Sequence, residues 1–223
     1  MNQVLGWARE RPLFTLNDVE REFGHERKYL RLMLHRMVER GDLVRVERGK
    51  FTVHEDPMVY ATHIETPSFF SYWTALRYYN LTSQQPFKLH VVARKNRDDL
   101  DGIKFHSTTK IFGYQRKPYR DLYIFVADRE RLLLDCLAKS TVPVEELTEL
   151  AREIDCERAT RYCEEFGNRS LAKRAGYLLE REGKKAEKLH GMIDHNYVPI
   201  DLSKPVEGRK NTRWKIVVNT DAA

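Results

Sequence analysis

Residues 26–53 hold the pattern that most constrains what this chain can fold into. Apolar residues recur there at helical spacing and form one stripe along the segment. Gly41 follows the last turn, where a left-handed C-cap favours a residue without Cβ. Two short runs rich in β-branched residues, 43–46 and 50–53, then flank a turn that contains Gly49. The segment predicts an amphipathic helix followed at once by a β-hairpin. The stripe consists of Leu30, Met33, Leu34, Met37 and Val38.

Basic side chains occupy the surfaces that this helix and hairpin leave exposed. Residues 25–50 carry eight Lys and Arg against four Asp and Glu, within a chain of net charge +6. A basic helix followed by a basic hairpin predicts a winged helix-turn-helix, whose helix enters the major groove while the wing lies along the backbone or minor groove. Base edges are usually read from the first turns of such a helix, and arginines on a wing suit phosphates. We predict DNA contacts at Arg27, Lys28, Tyr29, Arg31, His35, Arg45, Arg48 and Lys50. The helical wheel points Leu32 away from the core stripe, toward either another element or a thymine methyl group.

The residues before this unit complete a small DNA-binding module. Residues 2–10 are short and amphipathic, and Pro12 ends them. Residues 13–14 resemble the short strand that often pairs with a wing. Thr15 and Asp18 have the spacing of a capping box, which predicts a second helix, and Gly24 makes the turn into the third. We therefore predict a winged helix-turn-helix domain over residues 1–56.

The pattern of residues 57–223 predicts a second, larger domain that contains both helices and strands. The predicted fold class of the whole chain is therefore α+β. An aromatic-rich segment, 69–79, has helical spacing and suits a core. Period-two alternation then predicts antiparallel strands. Helical spacing returns at Asp128. The last part of the chain is again predicted to be extended. The predicted strands are 87–93, 103–109, 111–114 and 122–126. The predicted helices begin at Asp128 and cover 143–154, 156–166, 170–181 and 185–192.

Composition excludes several classes of protein. No run approaches the roughly 20 apolar residues that a membrane-spanning helix needs, and the first residues lack an apolar signal core. We therefore expect a cytoplasmic protein without a membrane partner. Three widely spaced cysteines, Cys136, Cys156 and Cys163, form no CxxC pair, so buried thiols are expected rather than zinc ligands or disulfides.

The sequence offers little that could carry a reaction. Asp99 and Asp101 have the bare Asp-x-Asp spacing of a nucleotidyltransferase, but no Gly-Ser turn precedes them and they fall in a predicted turn. His190 and His195 are five residues apart, off the i, i+4 spacing that places two metal ligands on one helix face. No phosphate-binding glycine loop or nucleophile elbow is present. We predict no catalytic residues, no metal and no cofactor, and hence a protein that is not an enzyme.

A second basic zone lies near the C-terminus, where residues 168–223 carry twelve Lys and Arg against seven Asp and Glu. Such a zone suits a polyanion, because each neutralised phosphate releases condensed counterions. It is equally compatible with a protein partner or a solvated face. The predicted second basic surface consists of Arg169, Lys173, Arg174, Lys184, Lys185 and Lys188.

Three stretches, taken in order, resemble the AbiEi-type antitoxins, transcriptional regulators of viral defence systems and members of the type IV toxin-antitoxin family. They are the helix and hairpin of residues 34–53, the aromatic segment 67–81 and the segment 127–137, which reads Ala-Asp-Arg-Glu-Arg-Leu-Leu-Leu-Asp-Cys-Leu. The second departs from the family pattern at Tyr79-Asn80, where relatives have a His-Gly turn. The third has Asp-Arg where relatives have Pro. The tail segment 214–219 also fits.

The resemblance implies an antitoxin that binds operator DNA through its N-terminal domain and represses its own operon. We expect it to bind paired half-sites as a homodimer. It also implies that residues 57–223 counteract a nucleotidyltransferase-like toxin encoded next door, with or without direct contact. A stand-alone regulator that senses a small ligand is the alternative from the residues alone, and a nucleic-acid enzyme or a protein-only adaptor are further rivals.

Overall fold

Three short helices and a small sheet form the first quarter of the chain. The structure, a computed structural model, describes residues 2–220. The hairpin that follows the third helix pairs with a two-residue strand from the start of the chain, in the order β1-β3-β2. The elements are α1 (Asn2–Arg9), β1 (Phe14–Thr15), α2 (Leu16–Phe23), α3 (Arg27–Glu39), β2 (Val44–Glu47) and β3 (Lys50–Thr52). The three predicted helices, the short strand and the hairpin are confirmed.

Local sequence signals set the ends of these elements. The Thr15 hydroxyl accepts from the Asp18 backbone N–H at 3.3 Å, and Asp18 accepts from the Thr15 backbone N–H at 2.8 Å. This is the predicted capping box, and it satisfies two N–H groups at the start of α2. Gly24 ends α2 with φ +65°, and Gly41 and Gly49 adopt φ +78° and +82° after α3 and in the hairpin turn.

The predicted apolar stripe of α3 faces a separate hydrophobic cluster within this part of the chain. Leu30, Leu34 and Met37 are buried, and Met33 and Val38 pack against them partly buried. The remaining buried members of this N-terminal cluster are Val4, Ala8, Phe14, Val19 and Leu43.

A five-stranded sheet organises the rest of the chain. Its order is β6-β5-β4-β8-β7. Neighbours β4–β5 and β7–β8 are antiparallel, whereas β5–β6 and β4–β8 are parallel. The prediction of antiparallel strands is therefore confirmed for two of the four pairs and wrong for the other two, because alternation along a strand identifies the strand but carries no information about its partner's direction. The strands are β4 (Ser68–Phe70), β5 (Leu89–Ala93), β6 (Ile103–Ser107), β7 (Tyr114–Tyr119) and β8 (Leu122–Ala127).

The aromatic segment predicted as helical divides into a strand and a helix. Phe69 and Phe70 are buried in β4, opposite Val92 and Val91 of β5. Only the part that begins after Ser71 forms helix α5 (Tyr72–Tyr78). A three-residue strand buried on both faces shows no alternation, so its sequence resembles that of a buried helix.

Helices cover the sheet and continue to residue 181. The segment predicted as one helix over 143–154 is a 3₁₀ turn (Val144–Leu147) followed by a short α-helix, and that predicted over 185–192 is a 3₁₀ turn (Glu187–Met192). No helix within residues 2–220 is long and apolar enough to cross a membrane. The helices are α4 (Pro57–Ile64), α5, α6 (Arg129–Lys139), α7 (Thr148–Glu153), α8 (Cys156–Phe166) and α9 (Arg169–Arg181).

A third, small sheet near the C-terminal end of the chain packs against α9. Its strands β9 (Val198–Pro199), β10 (Arg209–Asn211) and β11 (Ile216–Val218) pair in the order β10-β11-β9. Trp214 is fully buried and its ring lies against Gly176, where a Cβ would stand 2.1 Å from the nearest ring carbon. A glycine is therefore required at that position of α9.

Two histidines face each other inside the five-stranded sheet. His106 Nε2 and His90 Nδ1 are 3.1 Å apart, and the Tyr72 ring lies 4.3 Å from the His106 ring, centre to centre. Burial lowers the pKa of His90 to about 4, and burial together with the neighbouring His90 lowers the pKa of His106 to about 3. The pair is therefore uncharged at neutral pH.

Side chains join the two parts of the chain. Asp56 caps α4 by accepting from the Met58 backbone N–H at 3.0 Å, and it also accepts from Tyr119 Oη at 2.9 Å and pairs with Arg120 at 2.7 Å. Arg97, in the connection between β5 and β6, reaches back to the hairpin. The division at residues 56 and 57 remains a prediction, and these side-chain partners of Asp56, Met58, Tyr119 and Arg120, all lie within residues 57–223.

Candidate nucleic-acid interface

An open groove of about 730 Å³ separates α3 from the β2–β3 hairpin. Leu34, Val38 and Phe51 lie along its base, where the helix packs on the sheet. Its walls carry six of the eight residues predicted to contact DNA: Arg27, Arg31, His35, Arg45, Arg48 and Lys50. Lys28 and Tyr29 lie on the same helix, outside the groove, and both are exposed. The fold thus brings the predicted residues to one concave surface and its outer rim.

Four of the cations have no internal partner. Lys28, Arg31, Arg45 and Arg48 are exposed, and no carboxylate of residues 2–220 lies within 4.0 Å of any of them. Unpaired cations on a concave surface create a positive potential that attracts polyanions. Their charge is therefore available to an external ligand.

Arg27 has a different role from the other predicted contacts. Its guanidinium donates to the Asn17 side-chain oxygen at 2.8 Å and pairs with Glu20, so it ties the start of α3 to α2. This pairing links the two helices at the surface. His35 is exposed at the other end of the groove and lies 3.3 Å from Glu39, one turn along the same helix.

Lys50 lines the groove, but its ammonium group is directed toward residues 57–220, which we call the body of the protein. It pairs with Glu47 at 2.9 Å and donates to the Ile64 backbone carbonyl at the end of α4. Glu47 also accepts from Arg97 at 2.5 Å. Burial alone would raise the pKa of Glu47, but the hydrogen bonds from Arg97 and Lys50 outweigh it and lower that pKa. We call these three side chains the hairpin latch, because they fasten the hairpin to the body.

The predicted second basic surface is wrong for two of its members. Lys173 and Arg174 are buried in α9. The Lys173 ammonium pairs with Asp194 and donates to the Asn196 carbonyl, and Arg174 Nε donates to the Pro199 carbonyl at 2.8 Å. Nearly every side of α9 is covered by other elements, and the helical wheel of an isolated segment does not reveal this.

The other members of that surface do not form a basic patch. Lys184, Lys185 and Lys188 line a cleft of about 410 Å³ together with three carboxylates, so its charge is balanced. Arg169 is exposed and lies 3.8 Å from Asp194. The carboxylates of the cleft are Asp155, Glu157 and Glu187.

A basic hairpin tip in the same region was missed from the sequence. Arg209 and Lys210 of β10 are exposed, and the ammonium groups of Lys210 and Lys215 lie 5.2 and 5.6 Å from the centre of the Tyr197 ring. Trp214 is the only apolar residue between Arg209 and Lys215, so the sequence there carries no alternation from which a hairpin could be predicted.

The residues considered for chemistry have structural partners. Asp99 accepts from the Phe105 backbone N–H at 3.0 Å and pairs with Lys88 at 3.2 Å, which stabilises the turn before β6. The His190 ring stacks on Trp214, 4.0 Å between centres, and accepts from Arg213. Within residues 2–220 no three His, Cys, Asp or Glu side chains are grouped as metal ligands would be. The three cysteines are free, with Cys136 and Cys163 buried and Cys156 partly buried.

The fold and the groove are those of an α+β protein with a basic N-terminal surface. Residues 2–54 match the family model described as "Transcriptional regulator, AbiEi antitoxin", which confirms the resemblance for the part that builds the groove. The fold is similar to that of the RV2827C protein from Mycobacterium tuberculosis, with a TM-score of 0.65 and 15% identity over 96% of this chain and 89% of that one. At that identity the similarity concerns the fold alone. No curated protein matches the chain.

Proposed function

We propose that residues 1–56 form a winged helix-turn-helix that binds operator DNA and represses the operon of the protein. The observation that carries the proposal is the groove between α3 and the hairpin, with three unpaired cations in its walls and Lys28 on the same helix outside it. The family matched by residues 2–54 is described as a transcriptional regulator, which supports the same conclusion. The protein acts by binding, without a chemical step.

The dimensions of α3 suit the major groove. Its 13 residues make a helix about 20 Å long, and a groove about 12 Å wide admits such a helix. The first turn of α3 has no side-chain cap from Glu26, so its backbone N–H groups are open to a phosphate oxygen. Lys28, Arg31 and His35 face the bases in this arrangement, while Arg45 and Arg48 of the hairpin face phosphates.

Operator binding by two copies on paired half-sites completes the regulatory proposal. Each copy presents one α3, so two-fold symmetry of the protein would be mirrored in a palindromic operator. The spacing of the half-sites then follows from the distance between the two helices.

We further propose that the protein is an antitoxin whose residues 57–223 counteract a nucleotidyltransferase-like toxin. The description of the matched family names antitoxins, and the sequence motifs of residues 67–81 and 127–137 support the proposal. These motifs lie outside the matched residues. Co-expression with the adjacent gene tests it: growth restored by the full chain supports antitoxin activity, and toxicity unchanged by it contradicts the proposal.

The DNA-binding proposal is tested by titrating the full chain against its own upstream DNA at several salt concentrations. If each of the four unpaired cations displaces one counterion, the slope of log K against log salt is about −3.6, which weakens binding about 150-fold between 50 and 200 mM salt. Arg48→Ala should reduce the slope by about 0.9 and weaken all sequences alike. Arg31→Ala should cost about 1–3 kcal/mol on the operator and relax base preference.

Lys188→Ala is the matched control for Arg48→Ala. It removes one exposed positive charge from the body, where Lys188 is paired with Glu157. Affinity and salt slope should therefore stay at the values of the unmodified chain. Binding that is independent of salt, or a loss for Lys188→Ala equal to that for Arg48→Ala, would contradict the assignment of the groove.

A further inference from the structure

The outward face of α3 carries two exposed apolar side chains. Tyr29 is 54% exposed and Leu32 is 48% exposed. Neither takes part in the N-terminal cluster, which draws Leu30, Leu34 and Met37 from the same helix. Tyr29 and Leu32 are one turn apart, so together they form an exposed apolar patch on the helix that carries the predicted base contacts.

These side chains surround a shallow hollow of about 190 Å³. Met33 forms its base, and the side chains of Arg36 and Arg40 form its rim. The His25 ring lies edge-on to Tyr29, 5.5 Å between centres, and limits where that ring can turn. The hollow is therefore a small apolar surface with a defined shape.

The position of Leu32 on the helix places it among cations. Lys28 and Arg36 lie one turn before and one turn after it, on the same ridge. Arg31 precedes it toward the groove. Arg40 of the rim is paired with Asp42 at 3.3 Å, and Glu39, farther along the helix, is paired with His35.

The positive charge around the hollow favours DNA over a second copy of the chain as its binding partner. Two copies of the chain packed through this face would bring cations against cations, which costs free energy. A DNA duplex brings phosphates to the cations and bases to the apolar side chains between them. In the major groove the apolar group of a base edge is the C5-methyl of thymine.

We propose that Leu32, with Tyr29 beside it, contacts the C5-methyl of a thymine in the operator and thereby selects a T·A pair at that position. This inference rests on the proposed function, and it assigns a base preference to Leu32, whose side chain has no hydrogen-bonding group. Apolar contact with a thymine methyl discriminates against the other three base pairs because none of them places a methyl group there.

The test uses the full chain and duplexes selected by it from a random pool. Each thymine of the selected duplex is replaced singly by deoxyuridine, which removes only the methyl group. We expect one position per half-site at which the replacement weakens binding about fourfold, the effect of one buried methyl group. Leu32→Ala should bind the thymine and deoxyuridine duplexes equally well.

Two variants serve as controls. Leu32→Met keeps an apolar side chain of similar volume and should retain the sensitivity to the methyl group. Arg48→Ala should bind both duplexes more weakly and retain the fourfold ratio between them, because its contact is with phosphate.

The outcomes separate this inference from the proposed function. Selective binding that is indifferent to deoxyuridine at every position overturns the inference and leaves operator binding intact. A methyl effect that persists in Leu32→Ala also overturns it. Dimerisation of the free chain that is lost in Leu32→Ala would assign the hollow to a second copy. Failure to bind any duplex selectively would overturn the proposed function itself.

Discussion

The hairpin latch makes a quantitative prediction. Replacing Arg97 with Met removes the guanidinium that donates to Glu47 and keeps an apolar stem over the Phe105 ring, where the Arg97 guanidinium now lies 4.4 Å from the ring centre. Replacing Glu47 with Gln removes the opposite charge. The two single variants and the double variant together form a double-mutant cycle, which isolates the energy of the pair.

The structure sets the expected size of that energy. Hydrogen bonds to charged groups contribute about 1.5–3 kcal/mol, and solvent screening reduces this where the groups are partly exposed. The side chains of Arg97 and Glu47 are 17% and 23% exposed, and Lys50 still holds Glu47 when Arg97 is replaced. We expect a coupling free energy of about 1–2 kcal/mol. In a chain of this size, each kcal/mol of lost stability lowers the melting temperature by about 2–4 °C.

Chemical denaturation of the four proteins measures the coupling, and an ion pair from the same connection provides the control. Lys95 and Glu65 are 3.2 Å apart, but the Lys95 side chain is 75% exposed, so its coupling should stay below about 1 kcal/mol. Additive effects of the Arg97 and Glu47 replacements, or a coupling no larger than that of the control pair, would refute the latch.

The latch should also weaken in acid. The pKa of Glu47 is lower in the folded protein than its ordinary value of 4.5, so its ionised form is favoured by folding. Its contribution to stability is fully present above the unfolded pKa and is lost as pH falls through the folded value. The coupling measured at pH 7 should therefore shrink progressively when the cycle is repeated at pH values below 4.5.

Three further predictions concern residues outside the groove and the hairpin latch. Gly176→Ala should destabilise the chain by about 1–3 kcal/mol, because the new methyl group overlaps the buried Trp214 ring; an unchanged denaturation midpoint would contradict the packing. The low pKa values of His90 and His106 predict stability that is fully present above pH 6.5 and declines as pH falls toward 4, and His106→Phe should flatten this decline in a pH series of denaturation curves. Asp56→Ala should lower the melting temperature, since loss of an N-cap alone costs about 1 kcal/mol. A melting temperature equal to that of the unmodified chain would show that the Asp56 cap does not stabilise the protein.

The N-terminal part could be predicted from sequence because its signals are local. The Thr15–Asp18 capping box and the glycines after α2 and in the hairpin each depend on a few neighbouring residues. The core stripe of α3 follows from spacing alone. Such signals specify an element without reference to the rest of the fold, so they can be recognised in a single sequence.

Long-range features could not be predicted in this way. Strand direction in the five-stranded sheet depends on connections that alternation does not encode. The burial of Lys173 and Arg174 depends on what packs around α9, and the sequence of that helix alone resembles a basic surface. The short strand at Phe69 and Phe70 was hidden because both faces are covered.

The same limitation applies to the charge that the groove offers to DNA. Six cations near α3 and the hairpin were predicted to contact DNA, and six counterions released would give a salt slope of about −5.4. The structure commits Arg27 to α2 and Lys50 to the hairpin latch, which leaves four cations and a slope of about −3.6. Lys50→Ala should accordingly leave the slope unchanged while it lowers stability, whereas Arg45→Ala should reduce the slope by about 0.9. A slope of about −4.5 for the unmodified chain, the value for five cations, that is reduced by Lys50→Ala would show that the latch opens on DNA and that Lys50 reaches a phosphate.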